Sequence, residues 1–140
     1  MTDEQWKQIK HFSPKEQWGD PYKMSFDLLK RLDALRKFVN QEIIIHCGYA
    51  TDGHSENSQH YFGKAVDFHI KRMSLIDQYL AAERFMFTGL GLYPDWNHPG
   101  LHCDVRFKNY EESQDRWAKL NGIYILLNED TIRKIIKKEI

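Results

Sequence analysis

The stretch KAVDFHI, residues 64–70, alternates between apolar and polar side chains and decides the prediction for the fold. Successive side chains of a β-strand point to opposite faces of a sheet, so this stretch predicts a strand. Its polar face presents Asp67 and His69. Its other face is apolar, and consists of Val66, Phe68 and Ile70.

A second stretch, LHCDVRF at residues 101–107, alternates in the same way. Its apolar face consists of Leu101, Cys103, Val105 and Phe107, and its polar face of His102, Asp104 and Arg106. We expect the two apolar faces to pack against helices and the two polar faces to line an open surface or groove. Clustered histidine and aspartate on adjacent strands favours a metal site over an ordinary solvated face. Imidazole and carboxylate are ligands that zinc accepts.

The remaining pattern predicts three helices and two further strands around this pair. Ser25 is a plausible N-cap for the first helix. The helices are predicted at 25–40, 74–87 and 130–140, and the strands at 42–47 and 122–127. The first twenty residues are interpreted as an irregular or short helical lead-in, residues 89–93 as a glycine-rich lead into Leu92 and Tyr93, and residue 117 onward as a short connector. This order predicts an α+β fold, with helices packed on one face of a largely antiparallel sheet.

The composition of the chain limits the classes of function that need to be considered, before any motif is examined. Hydrophobic residues make up 41% and charged residues 29%, which is typical of a globular protein, and one domain is expected over 1–140. Twenty basic residues balance twenty acidic residues, so the charge gives no support for binding nucleic acid or an anionic membrane. No apolar run of membrane-spanning length and no signal peptide are found, so we expect a cytoplasmic monomer that reaches a cell wall only by another route.

The string SQHYFGKAVD, residues 58–67, matches the pattern S-x-H-x-x-G-x-A-x-D, and LHCD at 101–104 follows it downstream. With these motifs the sequence resembles the zinc D-alanyl-D-alanine carboxypeptidases and peptidoglycan endopeptidases of the M15 type. It also resembles the hedgehog signalling domain, above all in DGHSENSQHY at residues 52–61. The resemblance extends from about residue 12 to residue 124.

The resemblance implies one zinc ion bound by His60, Asp67 and His102. It also implies that a zinc-activated water attacks a peptide carbonyl beside a D-amino acid in a cell-wall peptide. Three protein ligands with solvent in the fourth position are typical of catalytic zinc. The implied function is therefore a zinc metallopeptidase of peptidoglycan, either a D,D-carboxypeptidase or an endopeptidase, of phage or bacterial type.

Two departures from the family pattern limit what can be carried over. Ala50 follows the Gly48–Tyr49 turn, where many members have a substrate-binding arginine, and Arg106 is a candidate replacement. Pro99 stands three residues before the last zinc histidine, where many members have an acid.

The general base is accordingly left open among Asp95, His98 and Asp104. Asp95 is favoured because it lies in the loop that leads to His102. His98 is also considered as an oxyanion donor, and Asp104 as an acid that orients a ligand or the substrate. Ser58, Tyr93 and Arg106 are the predicted substrate-binding residues.

Several residues carry a second interpretation. His69 is expected near the site without being a ligand, His54 is more simply a loop residue, and Cys47 and Cys103 are expected in the core. A different function is also open, namely a catalytically silent, zinc-binding, hedgehog-like recognition module. A cytoplasmic enzyme that cuts free dipeptides and a phage lysis enzyme also fit the sequence.

Overall fold

Six strands form one sheet in the computed structural model, which describes residues 1–107, 109–111 and 113–139. The strands are β1 Ile43–Cys47, β2 Ala65–Ile70, β3 Gly89–Tyr93, β4 Gly100–Asp104, β5 Asp115–Leu120 and β6 Ile123–Leu126. Their spatial order is β1-β2-β4-β3-β5-β6. Neighbouring strands run antiparallel except β3 and β5, which are parallel. The predicted, largely antiparallel sheet is confirmed.

The described residues form four α-helices beside this sheet, so the α+β class is confirmed. They are α1 Asp3–Gln8, α2 Phe26–Val39, α3 Leu75–Ala82 and α4 Glu129–Glu139. The hydroxyl of Ser25 accepts a hydrogen bond from the backbone N–H of Leu28 and caps α2, as the sequence predicted. Short 3-10 turns occupy Pro21–Lys23, Gln59–Phe62 and Glu83–Phe85.

The core lies between the helices and the apolar face of the sheet. Four leucines of α2 are fully buried there, namely Leu28, Leu29, Leu32 and Leu35. Phe68 of β2 and Leu101 of β4 stand opposite each other in the register and belong to the same core. Burying each such side chain stabilises the fold by about 1.5–3 kcal/mol. The packing therefore fixes which face of β2 and β4 turns away from the helices.

Four details differ from the sequence prediction. The helix expected over 74–87 ends at Ala82, because the chain tightens into a 3-10 turn and Met86 then adopts a left-handed conformation with φ of 60°. Strand β4 ends at Asp104, because the backbone and side chain of Arg106 turn back to that carboxylate. The glycine-rich lead at 89–93 is itself a strand, and the connector contains β5. Ile140 lies outside the described residues.

None of the helices in the described part of the chain has the length and apolar character needed to cross a bilayer.

Candidate metal centre

One row of residues crosses four strands on the sheet face that points away from the helices. Asp67 of β2 pairs with His102 of β4, which pairs with Gly91 of β3, which pairs with Trp117 of β5. Residues that are directly opposite in a sheet share a face. The register therefore brings a carboxylate, an imidazole and an indole together, although they are far apart in the chain.

Two glycines of β3 make room for large or charged side chains on this face of the sheet, Gly91 for Trp117 within the row and Gly89 for Asp104 beside it. A Cβ atom on Gly91 would lie 2.4 Å from atoms of the Trp117 indole, and one on Gly89 would lie 2.2 Å from Oδ1 of Asp104. Any other residue at these positions would displace the neighbouring side chain. The sequence analysis did not recognise this role, although two glycines spaced by two residues, beside a polar strand face, could have indicated it.

Two histidines share one carboxylate oxygen at the centre of the row. Nε2 of His60 lies 3.2 Å from Oδ1 of Asp67, and Nδ1 of His102 lies 2.9 Å from the same oxygen. The ligand atoms of all three residues lie within 4.8 Å of one another. The side chains are 2%, 14% and 9% exposed in the order His60, Asp67, His102. The structure thus brings the three predicted ligands to one place.

His60 is held from its backbone and from the far side of its ring. It lies in the 3-10 turn Gln59–Phe62, and the Ser58 hydroxyl accepts a hydrogen bond from its backbone N–H at 3.2 Å. Nδ1 lies 2.7 Å from the carbonyl oxygen of Gly48, so Nδ1 carries a proton and donates it there. Nε2 is thereby the nitrogen directed at Asp67.

Asp104 holds the ring of His102 in a similar way. Its Oδ2 lies 2.7 Å from Nε2 of His102, and Arg106 donates to both carboxylate oxygens at 2.9 Å and 2.7 Å. The Asp104 side chain is fully buried. A carboxylate that accepts from the outer nitrogen of a ligand histidine fixes the ring and raises its basicity. Nδ1 of His102 is left to face the centre.

The charges at the centre are strongly coupled. Burial lowers the pKa of His60, but the hydrogen bonds with Asp67, Cys47 and Gly48 and the charge of Asp67 together outweigh burial and raise the pKa to about 10. The pKa of His102 is also raised, because its bonds to Asp104 and Asp67 outweigh burial. The pKa of Asp67 is lowered because the two histidines outweigh its own burial. The His60 ring is therefore protonated near neutral pH in the metal-free chain.

The three residues fit a divalent cation with tetrahedral geometry. With bonds of 2.0–2.2 Å, two ligand atoms on one zinc ion lie about 3.4 Å apart. The distances of 3.2 Å and 2.9 Å here are slightly shorter because hydrogen bonds bridge the same atoms. A cation would replace the protons on Nε2 of His60 and Nδ1 of His102, while the outer bonds to Gly48 and Asp104 would remain. Two imidazoles and one carboxylate form a donor set typical of catalytic zinc.

The centre lies in a cleft with a volume of about 430 Å³. The predicted substrate-binding residues Ser58, Tyr93 and Arg106 all line it. The rest of its wall is largely aromatic or basic, and includes Trp96, Trp117, Lys119 and Tyr124. The hydroxyl of Tyr93 accepts a hydrogen bond from Nε1 of Trp117 at 3.1 Å, and the Arg106 guanidinium lies 4.8 Å from the centre of the Trp117 ring.

The structure places two of the three candidate bases elsewhere. The Asp95 carboxylate accepts from the backbone N–H of Asn121 at 2.7 Å and from the ammonium of Lys138, and Asp95 is not part of the cleft lining. This placement does not support Asp95 as the general base, and that assignment stays a prediction. His98 stacks on His69 at 4.8 Å and lines a neighbouring pocket that shares Asp67 and Trp96 with the cleft. Its role as base or oxyanion donor stays a prediction.

Both carboxylate oxygens of the third candidate base, Asp104, already accept hydrogen bonds. Its oxygens accept from His102 and from the Arg106 guanidinium, and the side chain has no exposed surface. This geometry agrees with the orienting interpretation and argues against proton transfer with a substrate. His69 likewise lies apart from the three ligands, with Nδ1 2.6 Å from Nε2 of His46.

His54 is the residue whose placement sequence reasoning undervalued. It lines the cleft, and its ring stacks on His60 with centroids 4.2 Å apart. Tyr61 fixes its backbone, because the Tyr61 hydroxyl accepts from the N–H of His54 and donates to its carbonyl oxygen. Burial lowers the pKa of His54, so its imidazole is neutral near neutral pH. Its position in the hedgehog-like segment 52–61 was the available signal.

The M15 peptidase family model described as peptidoglycan L,D-endopeptidase MepK matches residues 4–107. This range includes the three candidate ligands and strands β1 to β4, while β5, β6 and α4 lie beyond it. No protein of curated function matches the chain.

Proposed function

This chain belongs to the M15 peptidase family, and we propose that it is a zinc metallopeptidase that cleaves peptide bonds of peptidoglycan. The observation that carries the proposal is the convergence of His60, Asp67 and His102 within one cleft. When bound, zinc would supply a Lewis acid that polarises the scissile carbonyl group and lowers the pKa of water.

The chain's own residues have distinct roles in this proposal. His60, Asp67 and His102 hold the cation. Asp104 acts through His102, because it accepts a hydrogen bond from Nε2 of His102 and so keeps Nδ1 directed at the cation. Arg106 in turn neutralises Asp104 and fixes its two oxygens.

His54 is proposed as the general base. Apart from the three ligands, it is the one imidazole or carboxylate among the described residues that line the cleft. Its lowered pKa leaves a ring nitrogen free to take a proton from the attacking water and to return it to the leaving amine. The stacking on His60 keeps the ring beside the reacting atoms.

The cleft wall suits a short peptide that carries carboxylate groups. Lys119 and Arg106 supply positive charge, and Arg106 is partly neutralised by Asp104 and Asp115. Lys119 is therefore the better candidate to bind a substrate carboxylate in the absence of an arginine at Ala50. Tyr93 and Trp117 offer flat surfaces against which peptide groups can pack. The family description makes an L,D bond the first to test, with the D,D bond predicted from the sequence as the alternative.

Hydrolysis of defined muropeptides tests the proposal. The purified chain is stripped with a chelator, reloaded with one equivalent of Zn²⁺, and incubated with cross-linked muropeptides containing an L,D or a D,D bond and with a peptide ending in D-Ala-D-Ala. Products are identified by mass spectrometry. We expect one bond type to be cut, only after reloading. Metal-loaded protein that cuts none of the three would contradict the proposal.

Two variants check the assignment of the base. We expect His54→Gln to bind one zinc ion and to lose most of the turnover, by about 10²–10⁴-fold for a general base. His11→Gln is the matched control, because His11 is an exposed residue outside the cleft and its replacement should have no effect. Full activity in His54→Gln would remove this residue from the mechanism.

One observation favours the second candidate, a catalytically silent binding module. Asp67 is the sole carboxylate among the described residues that line the cleft, so proton transfer depends entirely on His54. A module of this kind would bind muropeptides in a zinc-dependent manner without cutting them, and His54→Gln would leave that binding unchanged.

A further inference from the structure

A second group of metal-ligand residues shares His60 with the metal centre. It consists of Cys47, His54 and His60, each of which has a ligand atom within 4.8 Å of those of the other two. We propose that Cys47 and His54 bind a second, thiophilic divalent cation, and that this cation inhibits the enzyme. Zn²⁺ in excess and Cd²⁺ are ions of the required class.

The separation of the two donor atoms matches the geometry of a shared cation. Sγ of Cys47 lies 3.5 Å from Nε2 of His54. Zinc bonds of about 2.3 Å to sulfur and about 2.05 Å to nitrogen at a tetrahedral angle place these atoms about 3.6 Å apart. No rearrangement of either side chain is needed to bring the donors together. The remaining positions would be filled by solvent from the cleft that His54 lines.

Both side chains are held in place by the fold. The pairing of β1 with β2 shifts register between Ile45 and Cys47, and after this irregularity Cys47 stands opposite Asp67. A bulge of this kind redirects side chains at the end of a strand. The backbone of His54 is fixed by its two hydrogen bonds with the Tyr61 hydroxyl, at 2.9 Å and 2.7 Å.

His60 limits this site to two strong protein ligands. Its Nδ1 lies 3.8 Å from Cys47 Sγ, but it also lies 2.7 Å from the carbonyl oxygen of Gly48, to which its N–H donates a hydrogen bond. A second cation is therefore expected to bind more weakly than the first, after the centre formed by His60, Asp67 and His102 is filled. Binding converts the Cys47 thiol to a thiolate and releases one proton to solvent.

The second cation would inhibit the enzyme because it binds to a nitrogen of His54, the proposed general base. Coordination at Nε2 removes His54 as a proton acceptor and adds positive charge beside the ring of His60. This consequence rests on the proposed function, whereas the binding event does not. The two can therefore be tested by separate measurements.

Titration of the reduced, metal-free chain with Co²⁺ tests the binding event. The centre of two nitrogens and one oxygen should give visible d–d bands with the first equivalent. The second equivalent should add the intense near-ultraviolet band that signals sulfur-to-cobalt charge transfer. Cys47→Ser should keep the first set of bands and lose the second. Cys103→Ala is the matched control, because Cys103 is buried in the core and its removal should leave both.

Turnover is then measured with one and with several equivalents of Zn²⁺. We expect the wild-type chain to be inhibited by the excess and Cys47→Ser to be active and insensitive to it. A charge-transfer band that is absent from the wild type, or that survives in Cys47→Ser, would overturn the second site while leaving the first intact. Failure of the first equivalent to bind would instead count against the metal centre itself.

Discussion

The pair β2–β4 and the hairpin β5–β6 form two sides of the same cleft, and they are built differently. Asp67 and His102 are 14% and 9% exposed and are bonded to each other. On the hairpin, Tyr124 and Leu126 are 54% and 75% exposed. The first pair lies inside the family-matched range of residues 4–107, and the hairpin lies beyond it. We infer that the buried residues of β2 and β4 carry out the reaction and that the exposed hairpin β5–β6 determines which substrate binds.

The largest effect is expected when the carboxylate of Asp67, which contacts both His60 and His102, is removed. Asp67→Ala removes the ligand that both histidines contact and leaves the two imidazole rings without the carboxylate oxygen they share. Cation binding should fall below detection, and turnover should drop by at least about 10³-fold because the Lewis acid is lost. Metal content and muropeptide hydrolysis measure the two effects. Asp52→Ala, in the exposed loop nearby, should change neither.

A smaller loss is expected when only the support of His102 is weakened. Asp104→Asn keeps the size of the side chain but removes the charge that holds Nε2 of His102 and pairs with Arg106. Cation affinity should fall by about 10–100-fold, as is usual for such partners, and competition with a chelating dye measures it. Asp115→Asn removes the other carboxylate on Arg106, which is half exposed, and should leave affinity within experimental error. Equal losses in both variants would contradict the orienting role of Asp104.

The metal-free centre should also make stability depend on pH. The pKa of His60 is about 10 in the folded chain and 6.5 ordinarily, so its contribution is fully present below about pH 6.5 and is lost as pH rises through 10. The free energy of unfolding of the metal-free chain should therefore decrease as the pH rises from 6.5 to about 8.5. The measurement ends at about pH 8.5 because cysteine side chains ordinarily ionise from there on. Chemical denaturation measures the free energy of unfolding, and His60→Gln should flatten the slope. A rise over this interval would refute the coupling to Asp67.

The sequence predicted the buried pair well because burial imposes a pattern. Apolar and polar residues alternate in residues 64–70 and 101–107 because one face of each strand packs against the core. The alternation therefore predicts both the strand and the side chains that share its polar face. On the hairpin the strand predicted at 122–127 contains β6, but β5 was interpreted as a connector, because residues 115–120 carry charge on both faces. The contacts that hold Asp95 outside the cleft lining could not be predicted for a related reason. Its partners Asn121 and Lys138 come from segments whose position only the tertiary fold decides.

Gly91 connects the two sides of the cleft, so its replacement tests whether they act independently. In Gly91→Ala the new methyl group would stand 2.4 Å from the Trp117 indole, which packs 5.3 Å from the ring of His102. We expect a loss of about 1–3 kcal/mol in stability, as for other overpacked sites, and a displaced indole. Metal stoichiometry should stay at one per chain. Gly53→Ala, where nothing lies within 4 Å but the backbone is left-handed with φ of 83°, measures the cost of backbone strain without overpacking.

The smallest effect is expected on the hairpin itself, and it should appear in substrate binding alone. Tyr124 lines the cleft with more than half of its surface exposed, and the Lys119 ammonium lies 4.7 Å from its ring centre. Tyr124→Ala removes a packing surface and frees Lys119, so KM for a muropeptide should rise by about 3–10-fold, equivalent to about 0.7–1.4 kcal/mol. The value of kcat and the zinc content should not change, because no ligand contacts Tyr124. Ile123→Ala, on the same strand but outside the cleft lining, is the matched control. A fall in kcat with unchanged KM would mean that the hairpin takes part in the reaction, and that the division between the two sides is wrong.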